Sequence, residues 1–330
     1  METLGLVILI VVAIGFDYTN GFHDAANAIA TSVSTRALTP RKALALAAVF
    51  NLAGSLVSTK VADTVGGIIS APATTEGLTV IFAAVVGAII WNLITWYFGL
   101  PSSSSHALIG GLCGAAIASS AHVKWHAVLE KVVIPMVVSP LVGFGLSFIV
   151  MLAVLWGFRR ANPRNANVGF RMGQWVSSAA MSFGHGLQDA QKTMGVITLA
   201  LVVTHHLSVF SVPIWVKLLC AVAISAGTAS GGWRIMRTLG RRVFKLDNSS
   251  AFVAQSVASS VLLTTAYVYA APVSTTHVLT SSIMGVGATR KLSAVRWGVA
   301  GNILLAWVLT LPAAGLMAAA TFELVHLFIT

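Results

Sequence analysis

Residues 21–32 read GFHDAANAIATS, a polar stretch centred on an acid, in a chain that is otherwise mostly apolar. Asp24 is one of nine acidic residues in 330. Asn20, His23 and Asn27 stand beside it, where a membrane segment ordinarily carries Leu or Val. In helical phase Asn20, Asp24 and Asn27 fall at i, i+4 and i+7 and project from one face. They are a candidate oxygen cluster for a cation, and the residues around them decide whether that cluster lies in a bilayer.

Composition places it there. The chain is 57% hydrophobic and 9% charged, whereas soluble domains carry about 25% charged residues. Runs without a charge cover 43–59, 77–123, 132–158, 193–216, 248–289 and 297–322. At about 20 residues per span, an all-α polytopic membrane protein of roughly 10–12 segments is expected, broken or re-entrant half-helices included. The apolar stretch at 4–14 is short for a span, and without a basic region before it we expect it to be retained rather than cleaved. The net charge of +11 reads as topology rather than as nucleic-acid binding. Arg159, Arg160, Arg164 and Arg171 form one basic loop and Arg234–Lys245 another, both expected on the cytoplasmic side of the cell membrane. Cys113 and Cys220 lack CxxC spacing and read as small buried residues.

The chain is an internal duplication. Residues 182–196, SFGHGLQDAQKTMGV, set Asp189 against Asp24 at an offset of 165. Residues 271–287, APVSTTHVLTSSIMGVG, match LPSSSSHALIGGLCGA, with His277 against His106 at an offset of 171. Loop charge shows how the halves are related. The basic turn 36–42 corresponds to the uncharged 201–207, and the basic 234–245 corresponds to 69–80, which lacks Lys and Arg. Equivalent loops on opposite sides imply an inverted-topology repeat, with binding sites near the midplane between the repeats. The expected units are repeat 1–157, a basic cytoplasmic linker 158–173, and inverted repeat 174–330.

Asp24 and Asp189 are the equivalent intramembrane acids, candidates for cation or proton coupling, with a structural ion pair as the alternative. Lys192 stands where Asn27 stands, so Asp189 has an internal cation on offer. His23 and Gln188 occupy equivalent positions beside the acids, and Asn20 answers His185. The histidines are candidates either for proton relay or for helix contacts. Each Pro–hydroxyl–His segment reads as the start of a half-helix. Ser103, Ser104 and Ser105, with Ser274, Thr275 and Thr276, would then offer N–H and O–H donors to a tetrahedral oxyanion. The alternative is back-bonding along kinked helices. His106 and His277 close the two motifs as caps, gates or substrate contacts. Walker A, HExxH and GxSxG patterns are absent, which speaks against an enzyme.

Together with AGTASGGWRIMRTLG at 226–240, these duplicated segments resemble the inorganic phosphate transporter (PiT) family, in a short bacterial form. The resemblance covers 16–287. It implies an inverted-repeat carrier that imports inorganic phosphate, alone or as a metal-phosphate complex, with Na⁺ or H⁺; some relatives carry sulfate. It further implies that Asp24, Asn27 and Asp189 serve coupling, and hold Na⁺ if sodium is the ion. Ser103, Ser104, Ser105, Ser274, Thr275 and Thr276 would form the phosphate site. The family's common Asn-Asp pair is His23-Asp24 in one half here and Gln188-Asp189 in the other. With Lys192, that departure tilts the expectation toward H⁺. The expectation is thus a phosphate importer working by alternating access, with a sulfate permease or a passive anion channel as alternatives. No cofactor and no nucleic acid are expected, and a homodimer is an open option.

Overall fold

The computed structural model describes residues 2–72 and 74–329; Met1, Ala73 and Thr330 lie outside it. The first half comprises α1 (Glu2–Ser34), α2 (Pro40–Ser55), α3 (Lys60–Gly66), α4 (Thr75–Phe98), α5 (Ser104–Ala118), α6 (Trp125–Val128) and α7 (Ile134–Gly157). The second comprises α8 (Pro163–Val203), α9 (Ile214–Ser230), α10 (Trp233–Arg237), α11 (Asn248–Thr264), α12 (Thr275–Ala288) and α13 (Trp297–Ile329). One π-helical turn joins α6 to α7, and others extend α10 to Arg242 and α11 to Tyr269. A two-residue antiparallel pairing of Ile69–Ser70 with His122–Val123 ties the connections before α4 and after α5.

The halves carry the same five units in the same order: a long helix, a bent pair, a long helix, a half-helix and a long helix. The bent pairs turn by 74° between α2 and α3 and by 56° between α9 and α10. Among the described residues, five helices are long and apolar enough to cross a membrane, or up to seven spans if each bent pair counts as one. The helix α8 misses that criterion because its middle holds His185, Asp189 and Lys192, all buried. Outward-facing positions are apolar, as at Leu141, Ile149, Leu316 and Leu327. Among the described residues, the architecture is an all-α membrane fold.

Two expectations need correction. The stretch 4–14 is not a short separate span, because α1 runs unbroken through Asp24 to Ser34. Polar residues do not break that helix since their face is turned inward, against α8, and not toward lipid. Nor is 158–173 a loop throughout. Asn162 caps α8 by accepting from Arg164 N–H at 2.9 Å, and Pro163 takes the first helical position, so Arg164 and Arg171 lie on exposed first turns of a 41-residue helix. Proline is favoured there because its missing N–H would have no helical partner.

The inversion is visible in the register of α1 and α8. Thr35 Oγ1 donates to Gln174 Oε1 at 2.7 Å, Asp24 lies beside His185 and Asp189, and Asp17 faces Thr193. Numbers rise along one helix as they fall along the other, so the equivalent helices are antiparallel. Packing is exchanged between halves: α2 lies on α8 as α9 lies on α1, and α5 on α13 as α12 on α7.

Equivalent glycines make these exchanged contacts. A Cβ on Gly21 would collide with the backbone of Ile224 and Gly227 on α9, and one on Gly186 with the backbone of Asn51 on α2. Small residues let membrane helices approach to backbone contact. Gly15, on the same helix as Gly21, has open space at that position. We therefore expect Gly21→Ala and Gly186→Ala each to destabilise the detergent-solubilised protein by about 1–3 kcal/mol, with Gly15→Ala neutral. Thermal unfolding checks this, and equal midpoints for Gly186→Ala and Gly15→Ala would contradict it.

Candidate anion and cation site

Two breaks in the helices create the site. The helix α4 ends at Gly99 and the π-turn after α11 ends at Ala270, both in the left-handed region with φ of 65° and 49°. Each is followed by a proline segment and a new helix start. Both connections are buried, which is how irregular backbone is tolerated inside a membrane protein. Ser103 and Ser274 are the N-caps, each accepting from the N–H of the histidine three residues on at 3.2 Å. The first helical bonds run from Ala107 to Ser103 and from Val278 to Ser274. That leaves the N–H groups of Ser104, Ser105, Thr275 and Thr276 ahead of the helical ladder, where anions bind.

The two starts converge on Asp24. Its Oδ2 accepts from Ser104 Oγ on α5 at 2.9 Å, and its Oδ1 accepts from Thr276 Oγ1 on α12 at 3.2 Å. Asn27 Nδ2 donates to Asp24 Oδ1 at 3.2 Å and to Thr276 Oγ1 at 2.6 Å, with Thr275 Oγ1 at 3.3 Å. Asn27 Oδ1 is buried without a partner. His23 lies between Asp24 and α4: Nδ1 is 2.9 Å from Asp24 Oδ1, and Nε2 is 3.0 Å from Thr95 Oγ1. When Nδ1 carries the proton it donates to the carboxylate, and Nε2 accepts from the hydroxyl. Ser102, 3.4 Å from the same nitrogen, donates to Thr95 at 2.8 Å.

The second acid is bound differently. Asp189 is paired with Lys192 three residues on, and its other oxygen lies 3.6 Å from His185 Nε2. His185 is fixed from behind, its Nδ1 3.1 Å from Asn51 Oδ1, while Asn51 Nδ2 donates to Thr228 at 2.7 Å. One ligand atom each from Asp24, His185 and Asp189 fall within 4.8 Å of one another. Of the sequence candidates, Asp24, Asn27, His23, Ser104, Thr275 and Thr276 thus form one network, with Asp189 and Lys192 beside it. Gln188 stands apart: its Nε2 donates to Leu262 O at 3.3 Å and Thr265 Oγ1 at 3.2 Å on the α11 side. It answers His23 in facing the helix ahead of its own half-helix, but its amide bonds to α11 and its extension rather than to Asp189.

His106 and His277 do not cap with their rings. The rings lie 4.9 Å apart, and His277 stacks on Trp307 at 3.9 Å. Trp307 in turn donates to Pro101 O at 2.9 Å, so α13 of one repeat locks the start of α5 in the other. Sequence reasoning named His185 only as the counterpart of Asn20 and passed over Asn51, Thr95, Ser102 and Asp17. The signal for His185 was its i−4 position from Asp189, and for Asp17 its i−7 position from Asp24.

Comparison with known proteins agrees with this geometry. The profile of the Phosphate transporter family matches residues 20–168 and 158–318. A probable low-affinity inorganic phosphate transporter of Rhizobium meliloti (strain 1021) is 49% identical over 319 residues, 95% of this chain and 94% of its own. One so described from Bacillus subtilis (strain 168) is 43% identical over 325 residues, 97% of each chain. Among solved structures, "The sodium-dependent phosphate transporter" superposes with a TM-score of 0.87 at 24% identity, covering 98% of this chain and 99% of that one, and so shares the fold. The chain belongs to the phosphate transporter family.

Proposed function

We propose that this protein is a secondary carrier that imports inorganic phosphate together with a cation, H⁺ in preference to Na⁺, by alternating access. The observation that carries the reading is a single carboxylate, Asp24, hydrogen-bonded at once to Ser104 on α5 and Thr276 on α12. Phosphate would sit where those two helix starts face each other, held by the N–H groups and hydroxyls of Ser104, Ser105, Thr275 and Thr276. Asp24 supplies what sulfate does not match: a protonated phosphate donates a hydrogen bond to a carboxylate, whereas sulfate has no proton to give. Ser103 and Ser274 hold the helix starts in place through their capping bonds.

Coupling follows from charge. An unprotonated Asp24 beside the anion would repel it, so a cation or proton on the acid must accompany phosphate. Asp189 already has its cation in Lys192, which leaves a two-carboxylate Na⁺ site short of one charge and supports H⁺. With Na⁺, Asp24, Asn27 Oδ1 and Asp189 would be the protein ligands.

Alternating access is supported by an asymmetry between equivalent seams. A cavity of about 590 Å³ separates α7 from α11 and reaches Ala271 and Val273, next to the α12 start. Its counterpart between α13 and α4 is closed, with Gly87 against Ala314 and Ala318 and with Trp91 Nε1 donating to Thr310 at 3.1 Å. Exchanging the two arrangements would close one entrance and open the other. In this orientation the basic segments 159–171 and 234–245 face the cytoplasm, since Lys and Arg concentrate on that side of membranes.

Radiolabelled phosphate uptake into proteoliposomes tests the reading. Uptake should continue when choline replaces Na⁺ at fixed pH and should follow an imposed pH gradient; loss of uptake in choline would instead assign Na⁺. Asp24→Asn should cut uphill uptake by about 30-fold or more, the scale for disrupting a buried charged network, and near-normal uphill uptake would refute the coupling role. Ser104→Ala and Thr276→Val should each weaken phosphate binding by about 1–2 kcal/mol, roughly 5- to 30-fold, measured as the shift in half-saturation. Equal competition by unlabelled sulfate would point to a sulfate permease.

A further inference from the structure

Asp17 lies on α1 seven residues before Asp24, about 10 Å along the helix axis. Its side chain is fully buried, and neither carboxylate oxygen has a hydrogen-bond partner. The hydroxyl of Thr193, which faces it from α8, is also buried and unpartnered. The charged and titratable groups around Asp17 are few. From α8 come Lys192 and Asp189, and from α9 the thiol of Cys220; Lys217, one turn from Cys220, is only half-buried. The helix α4 lies along α1 from Leu78 beside Gly5 to Thr95 beside His23, and 78–95 contains no titratable residue.

The charges in this seam do not balance. Asp17 and Asp189 share one ammonium group, and Lys192 gives it to Asp189. An ionised Asp17 would therefore be dry, faced only by the hydroxyl of Thr193 and the thiol of Cys220, and without a cation of its own beside a second acid, an arrangement that demands a compensating positive charge. A metal ion is poorly served there. Asp17 and Thr193 sit inside long helices whose carbonyls are committed to helical bonds, and the nearby ammonium repels a cation. A proton needs only one oxygen, and a protonated Asp17 has Thr193 Oγ1 as an acceptor.

We infer that Asp17 is a proton-binding site of the carrier, separate from Asp24. A proton taken up at one membrane face bonds to a carboxylate oxygen of Asp17, is held there in a hydrogen bond to Thr193, and is released at the other face, restoring the carboxylate. One proton of each transport cycle rides on this residue. The inference rests on the phosphate-import reading with H⁺ as the coupling ion.

Proteoliposomes loaded with a pH-sensitive dye and given labelled phosphate measure protons and phosphate together. Asp17→Asn, the neutral mimic of the protonated acid, should retain phosphate exchange at equal pH. It should carry one proton fewer per phosphate, so that phosphate accumulates about tenfold less for each unit of pH gradient. Asp17→Glu should keep the wild-type ratio. An unchanged ratio in Asp17→Asn, or loss of exchange in that folded variant, overturns the inference. If Asp17→Asn does not fold, Thr193→Val reads the same site: the pH midpoint of uptake should move by about one unit, and an unmoved midpoint overturns the proposal. Wild-type protein that takes up no phosphate refutes the import reading itself, and wild-type uptake without proton flux refutes H⁺ coupling.

Discussion

Everything around the midplane depends on one carboxylate holding two helix ends. A helix start presents unpaired N–H groups and the positive end of a dipole, and two such starts aimed at one point repel each other. Asp24 sits between them and accepts from both, through Ser104 and Thr276. The negative charge stabilises the convergence, and the convergence shelters the charge from lipid. In the proposed cycle an arriving anion would compete for the same hydroxyls. Binding and coupling would then be one event, because the anion would take those hydroxyls from Asp24 only when something neutralises the acid.

The repeat makes this arrangement affordable in a membrane. Polar groups on α1 and α8 would be costly facing lipid, but the antiparallel register sets them along one inward seam, from Thr35 hydrogen-bonded to Gln174 to Asp17 facing Thr193. Each bent pair then packs on the long helix of the other repeat through a glycine. The two halves have the same scaffold and different chemistry. Asp24 is served by His23, Asn27, Ser104 and Thr276, while Asp189 is tied to Lys192 and His185. One acid is held by hydroxyls and an amide, and the other by an internal cation.

Much of this was legible in the sequence, for identifiable reasons. An acid or a Pro-Ser-Ser run inside an apolar stretch is rare enough that its recurrence at offsets of 165 and 171 marks a duplication, and loop charge gave its inversion. The half-helix starts followed from proline and hydroxyl chemistry, which is local. What hydropathy along the chain does not show is which way a polar face turns. Residues 21–32 therefore read as a polar segment apart from the short apolar stretch 4–14, although α1 runs straight through both. Asp17 escaped notice for the same reason, because its counterpart Thr193 comes from a helix that starts well over a hundred residues later. Gln188 was grouped with Asp189 by adjacency, yet neighbouring residues on a helix point about 100° apart, and its amide reaches α11 instead. In the linker, Arg164 and Arg171 suggested a solvent-exposed loop. They are exposed, but on a capped helix that extends beyond the seam.

The most direct test of the central claim is an experimental structure determined with phosphate bound. The account predicts the anion between the starts of α5 and α12, within hydrogen-bonding distance of Ser104, Ser105, Thr275 and Thr276, with Asp24 displaced from at least one hydroxyl it now holds. Phosphate bound elsewhere, for example against Glu130 and Lys131 at the mouth of the α7–α11 cavity, with Asp24 still bonded to both Ser104 and Thr276, would contradict it.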